Sequence, residues 1–276
     1  MPLNHKNPHE LLFEAQNLTK SFGSGIHRVT AVDQVNFKIY EREIVSIVGE
    51  SGCGKTVLAK LLLRLEKPSS GTLLFRGANL AHDKKPIQYW RQVQTVFQDP
   101  FSAFNQFYTI RSQLKASFHL LEVKPSDQEM EKRVDDALLA VNIKPNEIEG
   151  KYPFELSGGQ MQRMLLARIF ILRPAVLIAD EPTSMVDASS RSSILDYLLK
   201  LKKELDMTII FITHDIGLAY YISDTIYIMD HGRFIEQGNP DDVMLRPQDP
   251  VTRKLLEDIP QLHKPWIERG PSAHAG

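Results

Sequence analysis

The hydrophobic positions of this chain switch period along its length. Val32, Val35, Phe37 and Ile39 are rich in strand formers and nearly alternate at the end, which predicts a half-buried antiparallel strand. Ile44–Val48 is a largely β-branched run that stops at a glycine and reads as a buried strand. Residues 55–65 carry leucines at Leu58, Leu61, Leu62 and Leu65, a helical spacing. A turn at 68–71 leads to a strand at 72–75, and a short strand is expected at 95–98.

The texture changes after Asp99. No strand pattern appears between Tyr108 and Ile143. Ser126 and Glu129 have the spacing of a capping box, and Met130, Val134, Ala137, Leu138 and Val141 follow at helical intervals. Strands return at 176–179, Thr208–Thr213 and 225–229, with helical pattern between them. Such alternation predicts a largely parallel sheet flanked by helices. A short helical tail is expected beyond Pro240, and the last ten residues read as disordered. The resulting division has a core at 10–98 and 166–239, a helical insertion at 99–165, and a C-terminal extension at 240–276.

Composition narrows the class. Hydrophobic residues make up 42% and charged residues 24% of the 276, an ordinary globular balance. Lys and Arg number 33 against 34 Asp and Glu, so the bulk positive field of a dedicated DNA-binding domain is missing. The single cysteine, Cys53, excludes an intramolecular disulfide and a cysteine-based metal cluster. The apolar runs are far shorter than the ~20 residues of a spanning helix. The polar stretch 1–10 has no apolar signal-peptide core. A soluble protein, or the soluble subunit of a larger assembly, is the expectation.

Three motifs carry chemistry. Gly49-Glu50-Ser51-Gly52-Cys53-Gly54-Lys55-Thr56 matches GxxxxGK[ST] between a predicted strand and a predicted helix. Glycines let the backbone wrap close to a phosphate, and amides at the helix N-terminus point at the anion. Lys55 neutralises terminal phosphates and the Thr56 hydroxyl reaches a magnesium ion. Cys53, flanked by Lys55 and a helix start, is expected to have a lowered thiol pKa. The second motif is Val176-Leu177-Ile178-Ala179-Asp180-Glu181, a buried strand ending in two carboxylates. It resembles a Walker B motif, with Asp180 toward the metal and Glu181 as general base. The third is Leu156-Ser157-Gly158-Gly159-Gln160, in which Ser157 and glycine amides open a helix onto an anion.

With this third motif the chain resembles the ATP-binding cassette ATPases over nearly its whole length. The resemblance implies an α/β fold: a P-loop NTPase (RecA-like) core with an N-terminal antiparallel β-subdomain and an inserted α-helical subdomain. It implies ATP and Mg²⁺ as ligands. Gly49 to Thr56 and the following Val57 would cradle the phosphates. Phe22, just before Gly23, would stack on the adenine. Thr56, Gln98 and Asp180 would hold the metal. Lys55, Gln98, Glu181 and His214 would serve catalysis, Gln98 as a sensor of the γ-phosphate and His214 as the switch histidine. Ser157, Gly158, Gly159 and Gln160 would bind the nucleotide of an opposing subunit. Ser184-Met185-Val186-Asp187 occupies the D-loop, where Asp187 would also bind the nucleotide. Two departures stand out. Val57 replaces a common second hydroxyl, which removes a hydrogen bond of about 0.5–1.5 kcal/mol. Met161 stands where a polar residue is more usual.

Two stretches, Val96 to Asn105 and Lys151 to Ser157, look like the subfamily that powers oligopeptide, dipeptide and nickel uptake; some relatives import oligosaccharides. Pro247-Gln248-Asp249-Pro250-Val251-Thr252-Arg253-Lys254-Leu255-Leu256 resembles that subfamily's tail imperfectly, since Asp249 and Val251 replace the typical His and Tyr. The phosphate loop and residues 61–68 resemble the second of two different ATPases. The implied partners are two transmembrane permeases, that other ATPase, and an extracytoplasmic binding protein through the complex. The implied location is the cytoplasmic face of the inner membrane, peripherally bound. No cysteine follows position 53, so the iron–sulfur centre of many members is not expected. A nucleic-acid- or ribosome-acting cassette is the less favoured alternative: the insertion is too short for a long coiled coil, and one set of motifs is present where ribosomal types carry two.

Overall fold

The computed structural model describes residues 10–82, 85–184, 186 and 188–257. The expectation of disorder for the last ten residues, and the D-loop residues Met185 and Asp187, lie outside the described residues.

In chain order the elements are β1 (Leu11–Phe22), β2 (Val29–Tyr40), β3 (Ile44–Val48), α1 (Lys55–Leu62), β4 (Ser70–Phe75), β5 (Ala78–Asn79), α2 (Pro86–Gln92) and β6 (Val93–Val96). Helices α3 (Ile110–Ala116), α4 (Asp127–Ala140) and α5 (Gly158–Leu172) follow. The chain then alternates through β7 (Val176–Asp180), α6 (Ala188–Leu205), β8 (Thr208–Thr213), α7 (Ile216–Ile222) and β9 (Thr225–Asp230). It closes with β10 (Arg233–Gly238), α8 (Pro240–Leu245) and α9 (Pro250–Glu257).

Two sheets organise these elements. A six-stranded sheet has the order β10-β9-β3-β8-β7-β6. Its strands run parallel except for the antiparallel edge pair of β9 and β10. Every residue of β3, β7 and β8 is buried, which explains their continuous apolar sequences: a parallel sheet covered on both faces has no polar side. The second sheet, β2-β1-β4-β5, is antiparallel. Helix α1 packs between the sheets, with Leu58, Leu61 and Leu62 meeting Phe13, Val35, Ile47 and Ile210 in one core. On the other face of the parallel sheet, Leu177, Ile209 and Phe211 pack with α4, α5 and α6. Helices α3 and α4 stand between β6 and β7 in the chain and bury Ile110, Leu114, Val134 and Leu138.

Several expectations shift. The first strand of the chain, β1, has no clean alternation because its pairing is offset between Ala15 and Leu18, where Asn17 has φ 49°. Helix α1 ends at Leu62, short of Leu65. The Tyr89 hydroxyl donates to the Leu62 carbonyl and Trp90 Nε1 to the Leu63 carbonyl at 2.9 Å, which satisfies end carbonyls that a longer helix would have used. The short strand expected at 95–98 is β6, so Gln98 lies beyond its end. Ser126 caps α4 by accepting from the Glu129 amide at 3.3 Å. A reciprocal capping box closes instead at Ser157 and Gln160.

Candidate active site

The carboxyl ends of parallel strands in an open α/β sheet converge on a crevice, and ligands bind there. Here β3 delivers the phosphate loop, β7 delivers Asp180 and Glu181, and β8 delivers His214. A cavity of about 960 Å³ opens among them. Glu50, Ser51, Gly52, Gly54, Lys55, Thr56 and Val57 line one side, and Gln98, Glu181 and His214 line the other.

The loop is built for close backbone approach. Gly54 is the N-cap of α1 with φ 115° and ψ −4°, and a Cβ there would stand 2.1 Å from the Ala31 carbonyl oxygen. Lys55 is buried and donates from Nζ to the carbonyls of Gly49 and Glu50 at 2.7 and 2.9 Å. The helix N-terminus and this held ammonium together favour an anion.

Asp180 is buried, and its Oδ1 has no hydrogen-bond partner. Burial raises its carboxyl above the ordinary value; the hydrogen bond from Thr56 opposes this and the neighbouring Glu181 adds to it. A buried carboxylate oxygen without a donor, beside a hydroxyl, suits a hard cation. Among the described residues no group of three or more His, Cys, Asp or Glu side chains gathers for a metal, so the oxygen ligands beside Asp180 would have to be of other kinds, such as the Thr56 hydroxyl and the Gln98 amide on the cavity wall.

Glu181 has φ 50°, an uncommon backbone for a residue with a side chain. Surrounding bonds hold it there: its amide donates to the Ile212 carbonyl at 2.9 Å, and its carbonyl accepts from the Ser184 amide at 3.2 Å and hydroxyl at 2.9 Å. Its carboxylate accepts from His214 Nδ1 at 2.9 and 3.0 Å. The Glu181 side chain is 13% exposed and that of His214 66%, so the carboxylate is the sheltered member and the imidazole faces the opening.

The remaining candidates lie elsewhere. Gly49 and Cys53 belong to the loop but not to the cavity wall; Cys53 is buried within the core around α1. Its thiol is pushed up by burial, and the Lys55 charge offsets this only in part, which corrects the expectation of a lowered value. Phe22 is exposed at the end of β1, outside the cavity wall, with the Lys20 ammonium 4.8 Å from its ring centroid. Ser157, Gly158, Gly159 and Gln160 are also apart from it: Ser157 Oγ accepts from the Gln160 amide at 3.3 Å, and Gln160 Oε1 from the Ser157 amide at 2.9 Å. Four cavity residues had no sequence assignment: Ala31, Asp215, Ile216 and Leu255. Asp215 was legible in principle, since it follows His214 and caps α7 by accepting from the Leu218 amide at 3.1 Å.

A family model described as ABC transporter matches residues 32–184, a span that contains the phosphate loop, Gln98, the Ser157 motif and both strand-end carboxylates. The chain belongs to the ABC transporter family. The oligopeptide transport ATP-binding protein AppF of Bacillus subtilis (strain 168) is 36% identical over 92% of this chain and 80% of its own length. The oligopeptide transport ATP-binding protein OppF of Escherichia coli (strain K12) is 36% identical over 90% and 75%. Among solved structures, a dimeric ATP-binding cassette in a post-hydrolysis state with ADP and Pi superposes with a TM-score of 0.76 at 27% identity, over 83% of this chain and 99% of that one. CbiO1 of Clostridium perfringens, part of the ABC transporter complex cbiONQ, gives 0.75 at 31% identity over 91% and 96%. As a member of this family with a P-loop NTPase fold, the chain is an ATPase. Among the described residues, no helix is long and apolar enough to cross a membrane.

Proposed function

We propose that this ABC ATPase is the ATP-hydrolysing subunit of a bacterial importer for oligopeptides, dipeptides or related solutes. It would work at the cytoplasmic face of the inner membrane with two permeases, a second and different ATPase, and an extracytoplasmic binding protein. The observation that carries the catalytic reading is the convergence of the phosphate loop, Gln98, Glu181 and His214 on one cavity beside buried Asp180. The curated relatives named for oligopeptide transport support the substrate class.

In this reading the loop amides and Lys55 bind the triphosphate. Thr56, Asp180 and Gln98 hold Mg²⁺, which when bound neutralises phosphate charge and aligns the terminal group. The orphaned Asp180 oxygen supports that assignment. Glu181 takes the proton of the attacking water, its carboxylate sheltered and held by His214. His214 orients the Glu181 carboxylate through Nδ1 and presents its far edge to the γ-phosphate. Phe22 receives the adenine. Ser157 to Gln160, with Asp187, complete the site of the opposing subunit, a reading supported by the absence of residues 157–160 from the wall of this cavity. ATP binds the closed pair of subunits better than the open pair, so binding shifts the population and hydrolysis resets it.

An exposed aromatic patch supports a membrane partner. Phe107, Tyr108, Tyr152 and Phe154 are exposed, and the bond from the Ile110 amide to the Lys151 carbonyl at 2.9 Å draws the two segments together. Tyr152 and Phe154 stack with centroids 5.7 Å apart. The test is ATPase activity of the purified chain with and without its permeases and second ATPase in liposomes. Stimulation by these partners is expected. Stimulation by nucleic acid or ribosomes instead would overturn the transport reading.

A further inference from the structure

A cavity that receives a triphosphate is poorly served by an unpaired carboxylate on its wall, yet Glu50 of the phosphate loop lines it. Glu50 is held at both ends. Its carbonyl accepts from Lys55 Nζ at 2.9 Å, and its carboxylate lies 3.7 Å from Lys254 Nζ. Lys254 belongs to α9, within the tail motif that the catalytic reading leaves without a role.

Helix α9 is fixed firmly enough to place that charge. Thr252 and Leu256 are buried, and Leu256 packs in a small core with Val48, the residue before the phosphate loop, and Ile216, two residues after His214. The Glu236 carboxylate on β10 accepts from the amides of Gln248 and Asp249 at 2.8 and 3.1 Å. Arg253 reaches back to the carbonyls of Pro247 and Gln248 at 3.2 and 3.1 Å. Leu255 joins the cavity wall itself.

We propose that Lys254 is the counter-ion of Glu50, so that the C-terminal motif supplies the charge that lets an acidic residue stand in the phosphate loop and thereby sets nucleotide affinity. The proposal rests on reading the cavity as the ATP site. Without Lys254, the Glu50 charge would repel the phosphates. The side chains of Lys254 and Glu50 are 69% and 59% exposed, so the effect is moderate and screened by salt.

The test is titration of the full chain with a fluorescent ATP analogue, and with adenosine as competitor, at low and high salt. Lys254→Gln should weaken ATP binding about three- to tenfold at low salt and less at high salt. Adenosine binding, which carries no phosphate charge, should be unchanged. Lys254→Arg should restore the affinity, and in a Glu50→Gln background Lys254→Gln should have no further effect. An unchanged ATP affinity for Lys254→Gln at low salt would overturn the proposal. So would an equal loss for adenosine, or an equal loss in the Glu50→Gln background, since either shows a merely structural helix. Failure of the wild-type chain to bind ATP would overturn the reading of the site, and this proposal with it.

Discussion

Two glycines of the phosphate loop separate backbone strain from steric exclusion. Gly52 has φ 83° and a Cβ added there meets nothing within 4 Å. Gly52→Ala therefore costs strain alone, about 1–2 kcal/mol for a left-handed residue with a side chain. For a chain of this size that lowers the melting temperature by roughly 2–8 °C. Gly54 is a different case. Its Cβ would stand 2.1 Å from the Ala31 carbonyl oxygen and 3.0 Å from Met229 Cε. The Met229 methyl can swing aside, but the Ala31 carbonyl is fixed backbone within β2. Relief requires the loop to lift away from the strand, so Gly54→Ala adds at least about 1–3 kcal/mol of overpacking to the strain. It also displaces the N-terminus of α1, which is aimed at the anion. The assay is thermal and denaturant unfolding of both variants, with binding of a fluorescent ATP analogue. Gly54→Ala should be the less stable and should lose nucleotide binding, while Gly52→Ala stays folded with a smaller shift. Equal behaviour of the two variants, or a Gly54→Ala chain that binds like wild type, would refute the steric argument.

Two further outcomes follow from burial. Cys53 should react slowly with a maleimide in the folded chain at neutral pH and fast after unfolding, because burial raises its thiol and shields Sγ; Cys53→Ser should keep ATPase activity, and equal labelling rates in the two states would contradict this. Burial first, and the Asp224 charge after the opposing Tyr40 hydrogen bond, raise the Glu43 carboxyl, so its ionisation costs stability as pH rises through that elevated value, and the cost is absent below the ordinary carboxylate range. Glu43→Gln keeps the acceptor for the Tyr40 amide, seen at 2.6 Å, and should be more stable than wild type at pH 7, with the gain vanishing near pH 4; a pH-independent difference in unfolding free energy would refute the assignment.

What could be read from residues alone was whatever is encoded locally. The phosphate loop announces itself because glycine spacing, a preceding apolar strand and a following leucine period all lie within one short stretch. Strands β3, β7 and β8 are legible because a sheet covered on both faces demands unbroken apolar runs. Strand β1 was hidden by its register shift at Asn17, and β10 by being a polar edge strand whose Glu236 serves the start of α9. The Cys53 thiol was misjudged for a related reason: the adjacent helix start and Lys55 are visible in sequence, whereas its burial between the sheets depends on residues far along the chain. The same holds for Leu255 and Lys254, whose motif was visible but whose place beside Glu50 is set by the packing of α9 on Val48 and Ile216.

The central claim is that Glu181, held in a left-handed backbone and hydrogen-bonded to His214, is the base that activates water for ATP hydrolysis. The direct measurement is single-turnover hydrolysis of ATP by the assembled transporter carrying Glu181→Gln, alongside its ATP affinity. Glutamine keeps the size and can still meet His214 but cannot take the proton. The account predicts ATP binding close to wild type and a hydrolysis rate reduced about 10²–10⁴-fold. Hydrolysis near the wild-type rate would contradict it.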